Sequence, residues 1–258
     1  MRNANEWQPT KFLRTRRGLR ASRNPKFVSV GSRYISDIVA QRYEHVIKAH
    51  ARGRLLDMGC GHVPLYETYR DLVQENVCID WKNTIHANPF LDESVDLDGN
   101  LPFGDQSFDT ILLTDVLEHI AEPKLLMSEI ARLLRYDGKL IMGVPFFYWL
   151  HEVPHDYYRY TEHALRRFCD LNRLKVLELE PYGGLAEIFV DLTLKGIAHL
   201  PKPLAACLRI AYSPVAAFTN TSACRKVSKL TQSDFPLGYV TVAQKLRPTF
   251  ETLFPLAS

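Results

Sequence analysis

Residues Arg54–Gly61 have the sequence RLLDMGCG. An apolar run that ends at an acidic residue is typical of a buried strand, and the two glycines that follow indicate a tight loop. Glycine is required where a backbone approaches a ligand closely, because a Cβ atom would block the approach or forbid the dihedral angles. This stretch therefore predicts a strand whose carboxyl end opens onto a ligand site.

A second acidic residue, Asp80, ends the next apolar run, Val77–Ile79. If the two runs form adjacent parallel strands, Asp80 lies beside the glycine loop. A carboxylate in that position can accept hydrogen bonds from both hydroxyls of a ribose. The glycine loop and Asp80 together predict a nucleoside-containing cofactor.

The spacing of the glycines bears on the kind of cofactor. A dinucleotide site requires Gly-x-Gly-x-x-Gly, and Pro64 occupies the position of its last glycine, which disfavours a nicotinamide-dependent oxidoreductase. The loop instead resembles the first motif of class I S-adenosylmethionine-dependent methyltransferases, Asp-x-Gly-x-Gly-x-Gly. Asp57, Gly59 and Gly61 match this motif, whereas Val63 stands in place of its last glycine.

Two further segments, Leu101–Asp109 and Asp115–Ile120, resemble the branch of that family called type 11. The resemblance extends over about residues 50–182 and the last strand. It implies a methyltransferase with S-adenosylmethionine as its cofactor. The residues that it assigns to the cofactor site are Asp57, Gly59, Cys60, Gly61, Asp80, Trp81, Asp96, Leu97 and Asp115.

Individual roles follow from the same resemblance. In this family an acidic residue after the third strand accepts a hydrogen bond from the adenine amino group, and Asp96 is the best match, with Asp98 second. Asp115 is expected near the methionine part of the cofactor. The spacing Asp115-x-x-Glu118-His119 is also one that metal ligands use. A helix-capping and cofactor-facing role suffices for these residues, so no metal ligand is predicted.

The segment Pro145–Thr161 holds an unusual density of histidines, carboxylates and aromatic rings. It follows a central predicted strand and is expected to face the methyl group that is transferred. His151 and His155 are candidate bases for an acceptor hydroxyl, with His119 as a third, because a neutral imidazole can take a proton near pH 7. Arg159 would hold an anionic or polar group of the acceptor. The alternative is a loop that is folded by its own hydrogen bonds.

The run from His151 to Thr161 resembles a subgroup of type 11-like methyltransferases associated with glycan or surface-polysaccharide synthesis. The expected reaction is methyl transfer to a small or glycan-like acceptor at oxygen. The chain has no Asn/Asp-Pro-Pro-Tyr/Phe motif, which disfavours N-methylation of bases. Two alternatives stay open, a nicotinamide-dependent oxidoreductase and a non-catalytic cofactor-binding relative that acts as a partner subunit.

Strands that alternate with helices predict an α/β fold with a parallel sheet that is covered on both faces. The resemblance implies a doubly wound, mostly parallel seven-stranded sheet of the Rossmann-like methyltransferase type. The predicted strands are Leu55–Met58, Val77–Asp80, Val95–Leu97, Thr110–Leu113, Leu140–Val144, Leu174–Leu179 and Gly238–Ala243. The last strand is expected to be antiparallel. The methyltransferase domain is predicted over residues 34–258, with residues 185–235 as a helical insertion or lid before the last strand.

The formal net charge of +3 is unevenly distributed. Residues 1–54 hold thirteen Lys or Arg and three Asp or Glu, a balance of +10 that leaves −7 for the remainder. Residues 1–33 are predicted to be a flexible basic arm that could contact an anionic membrane surface, and nucleic acid is disfavoured as a partner. Five cysteines without a C-x-x-C pair, and no signal peptide, predict a reducing, cytoplasmic location. The oligomeric state stays open.

Overall fold

The computed structural model describes residues 1–81, 88–218 and 221–248. Its strands are β1 Phe12–Thr15, β2 Gly18–Ala21, β3 Arg54–Met58, β4 Glu75–Asp80, β5 Glu93–Ser94, β6 Phe108–Thr114, β7 Leu134–Pro145, β8 Leu174–Tyr182 and β9 Gly238–Lys245. Its α-helices are α1 Arg33–His50, α2 Tyr66–Tyr69, α3 Pro123–Leu133, α4 Glu162–Leu171, α5 Leu185–Ala198, α6 Lys202–Phe218 and α7 Ser222–Thr231.

A seven-stranded sheet with the order β5-β4-β3-β6-β7-β9-β8 forms the centre of the fold. The pairs from β5 to β7 are parallel, and β9 is antiparallel to both β7 and β8. The chain begins the sheet in its middle at β3, moves outward to β5, and returns to β6 on the other side. This confirms the predicted doubly wound α/β fold and its antiparallel last strand, and it brings the carboxyl ends of β3, β4, β6 and β7 to one edge.

Helices cover both faces of the sheet, so the central strands are apolar on both sides. One face of the sheet packs under α3 and α4, where Leu56, Ile111 and Ile130 are buried. The other face packs under α1, where Tyr43 and Ile141 are buried. The site described below lies where these layers end at the carboxyl edge of the strands.

The predicted third strand is displaced in the structure. It pairs with β4 only at Glu93–Ser94, two residues before the predicted Val95–Leu97. The backbone N–H of Val95 still donates to the carbonyl of Asp80, after which an aspartate turn ends the pairing. The apolar side chains of Val95 and Leu97 are buried because they pack against the sheet without belonging to it.

The N-terminal segment corrects the prediction of a flexible arm over residues 1–33. Strands β1 and β2 form an antiparallel hairpin that packs on α1, and Trp7, Phe12 and Leu19 are buried there. The side chain of Glu44 on α1 accepts a 2.7 Å hydrogen bond from the backbone N–H of Leu19. The apolar residues between the arginines are therefore anchors, which the charge count did not weigh.

The segment predicted as a helical insertion contains α5, α6 and α7 between β8 and β9. In the first turn of α5, the side chain of Glu187 accepts a 2.9 Å hydrogen bond from the backbone N–H of Gly184. The side chain of Thr221 caps α7 by accepting from the backbone N–H of Cys224. None of the helices in the described part of the chain is long and apolar enough to cross a membrane.

Candidate functional site

A cavity of about 710 Å³ opens at the carboxyl edge of β3, β4, β6 and β7. Its walls come from the glycine loop, the N-terminal half of α1, the turn after β6 and the loop after β7. The sequence-predicted residues that line it are Gly59, Gly61, Asp80, Trp81, Asp96, Leu97, Asp98, Asp115, His119, His151 and His155. The structure therefore brings eleven predicted residues from five separate segments around one space.

The two loop glycines have different reasons to be glycine. Both have positive φ, +64° at Gly59 and +50° at Gly61, which L side chains rarely adopt. A Cβ at Gly59 would also lie 2.5 Å from a methyl group of Val116, whereas a Cβ at Gly61 would meet no atom of the described residues within 4 Å. Gly59 thus permits the loop to pack closely on the turn after β6. At Gly61 no side chain projects into the cavity.

Val63 occupies the position where the resembled motif has its last glycine. Its φ of +50° is the conformation that glycine favours, and its side chain is fully buried. The carbonyl oxygen of Val63 accepts a 3.1 Å hydrogen bond from the indole N–H of Trp7. Burial and this bond from the N-terminal segment hold a backbone geometry that costs on the order of 1–3 kcal/mol for a non-glycine residue.

Asp80 is fixed beside the glycine loop as predicted. One carboxylate oxygen accepts a 2.8 Å hydrogen bond from the backbone N–H of Gly61, and the other accepts a 2.7 Å bond from that of Trp81. A carboxylate at this point of the cavity wall is a strong acceptor for hydroxyl groups. The position of Asp80 on the cavity wall suits the ribose of a nucleoside.

Two predicted cofactor residues, Asp57 and Cys60, lie below the cavity wall and do not line it. Asp57 is 3% exposed, and its carboxylate accepts a 2.9 Å hydrogen bond from the hydroxyl of Tyr69. Burial raises the pKa of Asp57 to about 7, with repulsion from Asp80 in the same direction, although the bond from Tyr69 opposes the shift. Both residues support the glycine loop from within the core.

The two acidic residues that were predicted to contact the adenine amino group, Asp96 and Asp98, differ in their hydrogen-bond partners. Asp98 accepts from the backbone N–H groups of Ala121 and Glu122 and so caps the turn before α3. Asp96 is exposed on the cavity wall, and its carboxylate accepts from the backbone N–H of Asp98. Asp96 therefore has more acceptor capacity directed to a ligand.

Asp115 receives two partners that the sequence analysis did not identify. It has a φ of +55°, and its carboxylate accepts a 2.8 Å hydrogen bond from the hydroxyl of Tyr43 and lies 3.5 Å from the Nζ atom of Lys11. A Cβ at Gly143 on β7 would overlap the Tyr43 ring. No local pattern reveals these partners, because Lys11 and Tyr43 reach Asp115 from the N-terminal segment and from α1.

The loop after β7 is folded by an internal ion pair. The guanidinium of Arg159 donates to both carboxylate oxygens of Asp156, at 2.6 and 2.8 Å, and to the carbonyl of Trp149. The pKa of Asp156 falls to about 2 because of this pairing. Arg159 does not line the cavity, so its guanidinium holds the loop in shape where an acceptor contact was predicted.

The two loop histidines have different surroundings. The Nδ1 atom of His155 lies 3.0 Å from the hydroxyl of Tyr157, and its ring packs edge-on against Trp81 at 5.1 Å between centroids. His151 points inward to Glu118, whose carboxylate is fully buried. Neither carboxylate oxygen of Glu118 has a hydrogen-bond partner among the described residues.

The helical insertion contacts the loop after β7. The ammonium group of Lys195 on α5 lies 3.6 Å from the centre of the Tyr148 ring and 2.5 Å from the carboxylate of Asp191. Tyr148 lines the cavity, whereas Lys195 and Asp191 are buried behind it. The insertion therefore supports one wall of the site.

Comparisons with known proteins find a matching sequence family and matching folds. A family described as "Methyltransferase domain", of type 11, matches residues 56–142. An uncharacterized protein of Methanocaldococcus jannaschii is 26% identical over 144 residues, which cover 54% of this chain and 57% of that protein. A second protein of this organism is 42% identical over 45 residues, or 22% of its length. The chain thus spans less than two thirds of the curated relatives that it matches.

Solved structures share the fold. An S-adenosylmethionine-dependent methyltransferase from Archaeoglobus fulgidus superimposes with a TM-score of 0.53 at 14% identity, over 86% of this chain and 97% of that one. The [4+2]-cyclase SpnF gives 0.53 at 17% identity, over 82% and 84%. A chain of the complex between the Haloferax volcanii Trm112 methyltransferase activator and a methyltransferase gives 0.53 at 17% identity, over 80% and 91%.

The family match confirms the resemblance to methyltransferases of type 11 over residues 56–142. Identities of 14% to 17% establish the fold alone. One of these structures is that of a cyclase, which shows that the fold does not determine the reaction. The reaction therefore has to be inferred from the residues of the site.

Proposed function

We propose that this chain, whose residues 56–142 match a methyltransferase-domain family, transfers a methyl group from S-adenosylmethionine to a hydroxyl of a small or glycan-like acceptor. One observation carries the proposal. The glycine loop with Asp80 and the histidine-rich loop after β7 face the same cavity of about 710 Å³. That volume is in the range of pockets that hold a cofactor-sized ligand.

The cavity is divided into a cofactor end and an acceptor end. Gly61 leaves room for the nucleoside, Asp80 accepts from the ribose hydroxyls, and Asp96 accepts from the adenine amino group. Asp115, held by Tyr43, faces the ammonium group of the methionine part. These residues line the part of the cavity nearest to β3, β4 and β6. The part that is lined by the loop after β7 is therefore assigned to the acceptor.

S-adenosylmethionine, when bound, supplies a methyl group that its sulfonium already activates. The residues of the chain then have to align an acceptor oxygen, exclude water and accept the hydroxyl proton. His155 is the proposed base, because it lies on the cavity wall and its ring is oriented by Tyr157 and Trp81. Arg159 acts as a positioning residue, since its contacts keep the loop folded.

The exposed arginines of the β1–β2 hairpin support a further proposal about location. Arg14, Arg16 and Arg17 lie at the turn of the hairpin and are exposed. We propose that they contact an anionic membrane surface, so that a cytoplasmic enzyme works at the periphery of a membrane. The hairpin also supplies Lys11 to the cavity, which would place the site close to that surface.

The test of the function is product formation. The full chain is incubated with S-adenosylmethionine and a panel of hydroxyl-bearing sugars and small glycosides, and S-adenosylhomocysteine is measured by mass spectrometry. Acceptor-dependent formation is expected, and His155→Asn should lower turnover by about 10²-fold with cofactor affinity unchanged. His151→Asn is the paired variant.

The alternatives give different results in the same experiment. Cofactor binding without product on any acceptor would favour a non-catalytic partner subunit. In a parallel incubation with NAD in place of S-adenosylmethionine, an acceptor-dependent change in nicotinamide absorbance would indicate an oxidoreductase. Full turnover by both histidine variants on the true acceptor would show that the loop is structural.

A further inference from the structure

Glu118 is a buried carboxylate whose environment is incomplete. Its side chain is 0% exposed, and neither oxygen has a hydrogen-bond partner among the described residues. A buried carboxylate without hydrogen-bond partners is strongly destabilising. Such a group in a folded protein indicates a binding place for a water molecule or an ion.

Two imidazoles from different segments approach the same carboxylate. The Nε2 atoms of His119 and His151 lie 3.7 and 3.8 Å from Oε1 of Glu118. These distances are too long for hydrogen bonds. The ligand atoms of the three residues all lie within 4.8 Å of one another, and all three residues line the cavity.

The far side of each ring determines which nitrogen is available. The Nδ1 atom of His119 lies 2.8 Å from the carbonyl oxygen of His155, which can only accept, so Nδ1 carries the proton. The Nδ1 atom of His151 lies 3.3 Å from the carbonyl oxygen of Trp149 and 3.4 Å from the carboxylate of Asp156. In neutral rings both Nε2 atoms therefore direct a lone pair to Glu118. Orientation of a ligand histidine through its other nitrogen is typical of metal sites.

We infer that Glu118, His119 and His151 bind a divalent transition-metal ion. With bonds of about 2.1 Å, tetrahedral ligand atoms are about 3.4 Å apart, so a small closure of the observed spacing completes the coordination. Two histidines and one carboxylate leave at least one coordination position free, and that position faces the cavity. Zn²⁺ and Mn²⁺ suit this donor set, whereas Mg²⁺ prefers oxygen ligands.

The position of the three ligands suggests a role for the ion, and this role rests on the proposed function. Glu118 and His119 lie on the turn after β6, and His151 lies on the loop after β7. An acceptor hydroxyl that occupies the free position would lose its proton more easily, because a bound cation stabilises the alkoxide. The preferred acceptor would then carry a hydroxyl that can coordinate a metal. Metal binding itself is independent of methyl transfer.

The test is calorimetric titration of the chelator-treated full chain with ZnCl₂, MnCl₂ and MgCl₂, without any acceptor. One Zn²⁺ per chain is expected, with no heat from Mg²⁺ at the same concentrations. His151→Asn, His119→Asn and Glu118→Gln should each weaken Zn²⁺ binding by about 10²-fold or more. His155→Asn is the matched control on the same loop, and it should bind Zn²⁺ as the unmodified chain does.

Thermal unfolding of each variant separates loss of a ligand from loss of the fold, and Co²⁺ absorption bands report the same ligands independently. Zn²⁺ binding that survives in His119→Asn and His151→Asn would overturn the inference, as would the absence of any Zn²⁺ heat. Zn²⁺ binding without methyl transfer would contradict the proposed function alone.

Discussion

The hydroxyl of Tyr43 donates a 2.8 Å hydrogen bond to the carboxylate of Asp115, and so joins α1 to the turn after β6. The hydroxyl can reach this position because Gly143 on β7 has no side chain in its path. Burial, followed by the negative charge of Asp115, raises the pKa of Tyr43 well above its ordinary value, so the phenol remains a donor.

Replacing Tyr43 by Phe removes the hydroxyl and with it this hydrogen bond. The free energy of unfolding should fall by about 1.5–3 kcal/mol, the range for a hydrogen bond to a charged group. Urea denaturation measures the change. In an Asp115→Ala background the same substitution should cost much less, and an equal cost in both backgrounds would show that the bond does not stabilise the fold.

A second prediction concerns the pH dependence of stability. The pKa of Asp57 is about 7 in the folded chain and near 3.8 when the residue is free. The folded state therefore binds more protons between these values, and the free energy of unfolding should decrease as the pH rises from about 4 to about 7. A shift of about three units corresponds to an upper limit of about 4 kcal/mol.

Asp57→Asn removes this titration and keeps an acceptor for the Tyr69 hydroxyl. Urea denaturation at pH 5 and pH 8, without cofactor, should show a smaller decrease in the variant than in the unmodified chain. Parallel curves for the two proteins would mean that Asp57 is ionised throughout the range.

The basic hairpin gives a third prediction. Replacing Arg14, Arg16 and Arg17 by Gln should lower sedimentation with phosphatidylserine-containing vesicles by about tenfold or more, because each basic residue near such a surface contributes about 1 kcal/mol. Binding should also decrease with salt. A matched variant with Arg166, Arg167 and Lys175 replaced by Gln removes three exposed charges elsewhere. Equal loss in both variants would leave the hairpin without a specific role.

The part of the site that follows from local sequence was predictable. Gly59, Gly61 and Asp80 lie at the ends of two adjacent parallel strands, and parallel strands place their carboxyl ends at one edge. The positions of Asp115 and the histidine loop follow from the same rule. The register of β5 was not predictable, because two paired residues leave little signal in a sequence.

The remaining parts depend on contacts between distant segments. The N-terminal hairpin was judged by its arginines, although Trp7 and Phe12 bury its apolar side. The ion pair of Arg159 with Asp156 is local by contrast, and it agrees with the alternative of a loop that is folded by its own hydrogen bonds. Glu118 and His119 are adjacent in sequence, but the third member of the cluster, His151, comes from the loop after the next strand. For this reason the spacing Asp115-x-x-Glu118-His119, although metal ligands use it, was not sufficient to predict a metal site.

The most direct test of the central claim is calorimetric titration of S-adenosylmethionine into the full chain and into Asp80→Ala, with NAD as a parallel titrant. The account predicts one binding site for S-adenosylmethionine, no comparable binding of NAD, and a loss of about 1.5–3 kcal/mol in Asp80→Ala, since a charged acceptor for the ribose hydroxyls is removed. Equal affinity of both proteins for S-adenosylmethionine, or tighter binding of NAD, would contradict it.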